Sequence, residues 1–182
     1  AGSALLAGTP ALAQDEAPQG PPGCEDYDQH RQFDFWVGDW NVYAPDTDEA
    51  PGPYLGHNRI ERINGGCLVT EHWVGASGNA GDSLNVHDPL VGEWRQVWMS
   101  NGWYIDYTGG LDDDGAMVLT GEAYTIPTDT RAPLRGTWTP NADGTVTQRF
   151  EQGDAEGNWT TVFVGLYVPE SDDPRAAEAA TA

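Results

Sequence analysis

The stretch EWRQVWMSNGWYIDYT, residues 93–108, decides the fold. Two runs rich in apolar residues flank Asn101-Gly102, the dipeptide that most strongly marks a short hairpin. Side chains alternate within each run. Trp94, Gln96 and Trp98 share one face, and Arg95, Val97 and Met99 the other. Beyond the turn, Trp103, Ile105 and Tyr107 oppose Tyr104, Asp106 and Thr108. A period of two belongs to strands, because successive Cβ atoms point to opposite faces of a sheet.

The same alternation recurs on either side of this hairpin. It predicts strands over 39–43, 54–63, 67–74, 82–87, 93–99, 103–108, 117–124, 133–139, 145–151 and 158–168. Gly65-Gly66, GASGNAG (75–81), LDDDG (111–115), NADG (141–144) and GDAEGN (153–158) supply the turns. About ten strands, roughly one every twelve residues, imply an all-β chain. Connections this short make consecutive strands antiparallel neighbours, which is an up-and-down meander. A meander of that size removes its exposed edges by closing into a barrel. A flat sheet or a two-sheet sandwich is the alternative. Ahead of the first strand, DQHRQFDFW (28–36) reads as a short helical turn that brings Phe33 and Trp36 inward together.

The ends of the chain read differently. AGSALLAGTPALAQDEAP (1–18) has small and apolar residues, no charge before Asp15, and an Ala11-Leu12-Ala13 cleavage pattern. Residues 1–13 are thus expected to be a residual signal peptide, 14–27 a flexible extension, 28–169 one barrel domain and 170–182 a disordered tail. The expected setting is periplasmic or secreted. No stretch has the roughly 20 apolar residues of a spanning helix, so no membrane span is expected. Cys24 and Cys67 are the two cysteines. In an oxidising compartment they read as a disulfide, with two separate buried thiols as the alternative.

All 8 basic residues are arginine, against 29 Asp and Glu, for a formal net charge of −21. Such a field repels nucleic acid and anionic lipid, and favours a monomer or weak homo-oligomer. The absence of lysine excludes Schiff-base chemistry.

Phe33-Asp34-Phe35-Trp36-Val37-Gly38-Asp39-Trp40 is an unusual run. With it go Asn58–Ile63, Gly65-Gly66-Cys67, Glu71-His72-Trp73, Trp138–Gly144, Gln148–Glu151 and Gly165-Leu166-Tyr167. Together they resemble an uncharacterised family of exported bacterial proteins with a lipocalin-like, or calycin-like, β-barrel. The resemblance spans 32–167. It implies a barrel with a ligand cavity and carries no established activity. Gly38-Asp39-Trp40 matches the Gly-x-Trp that marks the first lipocalin strand, where the Trp plugs the closed end. The glycine-rich pattern of haem-binding nitrobindin-like barrels is missing.

Candidate site residues are polar or aromatic groups on these strands. Arg59, Glu71, Trp73, Trp98, Trp103 and Tyr107 are the candidates for a ligand site. Glu71 and His72 are adjacent and point oppositely; Glu71 is expected inward because it alternates with Val69 and Trp73. Glu71, His87 and Asp106 are the catalytic candidates, for acid–base work in a pocket made apolar by tryptophan. No nucleophile constellation, metal-ligand spacing or cofactor motif is read: His30, His57, His72 and His87 lack close pairing, and the Asp-rich turns lack the rest of a calcium loop. Three functions follow: binding of a small, partly apolar molecule, a barrel enzyme with a buried acid (isomerase or hydratase type), and an envelope interaction protein with no cavity.

Overall fold

The computed structural model describes residues 23–176, so the expected leader at 1–13 lies outside the described residues. Ten strands follow one another: β1 Gly38–Tyr43, β2 Tyr54–Ile63, β3 Leu68–Gly75, β4 Ala80–Asp88, β5 Glu93–Ser100, β6 Trp103–Leu111, β7 Met117–Thr125, β8 Thr130–Pro140, β9 Val146–Gly153 and β10 Trp159–Pro169. Each pairs antiparallel with its sequence neighbour, and β1 pairs with β10 to close the barrel. The expected meander is therefore closed, and neither a flat sheet nor a sandwich forms. The closing seam is short, with register pairs from Trp40–Pro169 to Tyr43–Leu166.

The interior is layered along the barrel axis. One end is plugged by the segment before β1, which forms short 3₁₀ turns over Asp28–Arg31 and Asp34–Trp36 rather than one helical turn. Phe33 and Trp36 are fully buried. Their rings stack at 4.8 Å, and the Phe33 edge meets Trp94 and Trp138. Trp40 closes this end from β1 and donates its indole N–H to the Trp36 carbonyl at 2.9 Å. The residues inside include those that alternation grouped: Val69 and Glu71 on β3, Trp94 and Gln96 on β5, Ile105 and Tyr107 on β6.

Two local features tie the plug down. Cys24 and Cys67 form the disulfide. It fastens a 3₁₀ turn, Cys24–Asp26, beside the β2–β3 turn, where Glu25 N–H also donates to Gly65 O. Asn64, Gly65 and Gly66 all have positive φ there, and a Cβ on Gly66 would meet Glu25 N at 2.9 Å. The paired glycines thus allow both the tight turn and the close approach of the N-terminal segment. At the other terminus, a 3₁₀ turn over Glu170–Asp172 leads into a strap on the outer side of β1. There Asp173 accepts hydrogen bonds from Asn41 and Tyr43, both at 2.7 Å, and the Arg175 guanidinium lies 3.6 Å from the Tyr43 ring centroid.

Three local expectations are corrected. The last strand does not keep a single alternation: a bulge between Thr161 and Phe163 shifts its register against β9. Strict alternation groups Trp159 and Thr161 with Phe163, but the bulge separates them, and Trp159 lies under the Arg135 guanidinium instead. Strand β8 begins at Thr130, before Pro133. The proline fits because the β8–β9 ladder starts at Leu134–Gln152, beyond it. Asn101-Gly102 joins β5 to β6 without positive φ at either residue, so the turn is not the mirror-image type its sequence suggests.

Candidate functional site

Beyond the plug lies a belt of polar side chains, and beyond the belt an aromatic-lined cavity of about 470 Å³. That volume falls within the roughly 300–1,000 Å³ of small-molecule sites. Trp73, Trp98 and Ile105 form its walls with Phe150 and Phe163. Its rim carries Asn79, Asn101, Trp103 and Val162, from the β3–β4 turn, the β5–β6 hairpin and the β10 bulge. Trp98 can lie flat against β4 because position 81 is glycine: a Cβ there would sit 2.3 Å from the indole.

The cavity floor is the polar belt. Ser83 donates its hydroxyl to Glu71 Oε2 at 2.6 Å, and Asn58 donates its amide to Glu71 Oε1 at 2.7 Å. Behind Ser83, Asn85 donates to the Ser83 hydroxyl, Gln96 to Asn85, and Tyr107 to Gln96. On the other arm Asn58 also donates to the Tyr167 hydroxyl, which donates to Gln148. The arm from Tyr107 runs toward Glu71 with every donor pointing to the carboxylate. Buried polar groups must be paired, and this chain pairs nearly all of them. Asn58 Oδ1 is left without a partner.

Glu71 is 5 % exposed. Burial pushes its pKa up to about 7, against the opposing pull of the Ser83 and Asn58 hydrogen bonds. Burial, reinforced by the Glu71 charge, likewise raises the Tyr107 and Tyr167 hydroxyls well above the usual phenol value. Among the described residues the cavity lining contains no Arg and no His. Of the described lining groups Glu71 is therefore the one that changes charge near neutrality, and a carboxylate ligand would find no cationic partner among them.

The structure brings together Glu71, Trp73, Trp98, Trp103 and Tyr107 around this cavity. It does not bring Arg59, His87 or Asp106 to it. Arg59 is on the outer face of β2, pairing with Glu61 at 3.0 Å and with Asp39 at 3.8 Å. Asp106 faces outward from β6 and accepts both Arg95 nitrogens, at 2.9 and 2.6 Å, which lowers its pKa. His87 is inside but at the plugged end, its ring 5.0 Å from His30 and 5.9 Å from Trp94. His72 is exposed and bonds Asp82. The sequence reading does not single out Asn58, Ser83, Asn85, Gln96, Gln148 and Tyr167 as site residues. Gln96 alone of these carries a local signal, a polar residue between inward aromatics two positions away in Trp94-Arg95-Gln96-Val97-Trp98.

Outside the barrel, Asp39, His57 and Glu170 present ligand atoms that all lie within 4.8 Å of one another. They are the described residues grouped closely enough to hold a metal ion.

Among the described residues no helix is long and apolar enough to cross a membrane. A closed ten-stranded antiparallel barrel is consistent with a calycin- or lipocalin-like fold and is compatible with ligand binding or catalysis. No protein-family model and no curated protein matches this sequence.

Proposed function

We propose that this barrel is an enzyme that moves a proton on a small, largely apolar substrate, with Glu71 as the acid–base group. The observation that carries the reading is a carboxyl with a pKa of about 7 at the floor of an aromatic cavity. A catalytic acid or base works best when its pKa lies near the operating pH, and burial is a common means of tuning it. The belt holds the carboxyl in one orientation from two sides, through Ser83 and Asn58. The walls are largely apolar, and with no cation among the described lining residues they favour a neutral substrate carrying a carbonyl or an alkene. Glu71 would take a proton from one carbon of such a substrate and return it to another, or, in a hydration, give its proton to one alkene carbon and regain one from the water that adds to the other.

A second reading is binding without turnover. It is favoured by the hydrogen bond already made to each Glu71 oxygen. Both readings need the cavity, whereas the interaction-protein reading expects none.

The test uses the neutral fluorophore N-phenyl-1-naphthylamine to report occupancy and small cyclic enones to report isomerisation. Glu71→Gln should keep probe binding and abolish turnover. Turnover by Glu71→Gln removes the acid–base role. Binding by the native chain with no turnover of any enone supports the second reading, and no binding at all removes both.

A further inference from the structure

We propose that Asp39, His57 and Glu170 form a binding site for a divalent transition-metal ion, of the zinc or manganese kind, across the seam that closes the barrel. The site is separate from the cavity and lies on the opposite side of the barrel wall. Asp39 is on β1 and His57 on β2, where His57 pairs with Asn41, two residues along from Asp39 on the same face. Glu170 follows Pro169, the β10 partner of Trp40, so it falls alongside Asp39. Three consecutive elements of the wall thus direct one donor each to a common point, with ligand atoms within 4.8 Å of one another. His57 Nε2 is 3.7 Å from Glu170 Oε2.

The electrostatics of the seam call for a cation. Asp39 and Glu170 are like charges set close together just past the end of the β1–β10 ladder, and like charges this close repel. Asp173 nearby is already balanced by Arg175 and by the Asn41 and Tyr43 hydrogen bonds, so the uncompensated pair is Asp39 and Glu170. The resident counter-charge is weak: Arg59 reaches Asp39 at 3.8 Å while bonding Glu61 at 3.0 Å. A metal ion would replace it and leave Arg59 with Glu61. The side chains of Asp39, His57 and Glu170 are 50 %, 33 % and 57 % exposed, so they can draw in by rotation, and water can fill the open positions. One imidazole with two carboxylates suits zinc, manganese or ferrous iron, whereas calcium and magnesium prefer an all-oxygen set.

The experiment is titration of the full chain with Zn²⁺ by competition against a chromogenic chelator, in physiological salt with excess Mg²⁺ to suppress diffuse binding to the acidic surface. One tight site is expected. Asp39→Asn, His57→Gln and Glu170→Gln should each weaken it at least about tenfold, since the loss of an outer-shell partner alone costs about that much. Arg59→Gln should tighten it by removing the competitor, a gain that misfolding does not produce. His72→Gln should leave it unchanged. In the spectrum of the four imidazoles, Co²⁺ should shift His57. Binding that survives His57→Gln, or follows His72 instead, overturns the proposal, as does the absence of a Zn²⁺ site over Mg²⁺.

Discussion

Glu71 and Ser83 face each other in register on β3 and β4, and the serine hydroxyl donates to the carboxylate at 2.6 Å inside the barrel. This contact stabilises the ionised carboxylate, yet burial outweighs it and the pKa rises to about 7. A carboxyl whose folded pKa exceeds its unfolded value near 4.5 keeps its proton in the folded state while the unfolded chain loses it. Between those two values folding stability therefore falls as pH rises. Below the lower value the group has no effect, and above pH 7 the penalty is full, about 3 kcal/mol. Glu71→Gln carries no such charge. Its stability relative to the native chain should climb by about that amount between pH 4.5 and pH 8. Urea denaturation of both proteins across this range checks it, and parallel curves would show that Glu71 is not forced toward its neutral form.

Trp98 lines the cavity and packs over Gly81, away from the plug. Trp98→Ala should weaken N-phenyl-1-naphthylamine binding about tenfold or more, by removing a large aromatic contact surface. Its near-ultraviolet circular dichroism should still show a folded core.

Phe33 is fully buried among Trp36, Trp94 and Trp138. Phe33→Ala leaves a hole in a closed end that has little freedom to collapse. The expected loss is about 3–5 kcal/mol by chemical denaturation.

The Cys24–Cys67 bridge closes a loop of 43 residues. Loop-closure entropy sets its contribution at about 4 kcal/mol at most. The double serine variant should lose up to that amount while keeping cavity binding, because the bridge anchors the plug end and not the mouth.

Asp106 is bound outside the barrel by Arg95. Asp106→Asn should therefore leave N-phenyl-1-naphthylamine binding unchanged. A loss of binding would mean that this side chain reaches the interior.

Much of the fold was legible because the physical constraint is local. Alternation of period two locates the strands, and a register slip would turn every apolar side chain to the wrong face. The site was legible in part for the same reason. Glu71, Trp73, Trp98, Trp103 and Tyr107 sit on the inward parity of their strands, and all line the cavity. Arg59 and Asp106 also sit on strands, but on the outward parity, and alternation alone does not say which parity is inside. His87 has the inward parity and is nonetheless at the wrong end, because height along the barrel depends on the stagger of all the strands together. The β10 bulge breaks the parity rule itself.

The sequence by itself determined the approximate strand count, the antiparallel order and the acidic composition, since each follows from neighbours along the chain or from composition; that the cysteines pair was settled by the structure. Only the tertiary structure decided which face is interior and where the polar belt crosses it. It alone placed Asp39, His57 and Glu170 at one point, because closure of β1 on β10 brings together residues more than a hundred positions apart. A buried carboxyl near neutrality belongs to the same class. Its pKa is set by the solvent the surrounding wall removes, and no local pattern records how completely the wall closes.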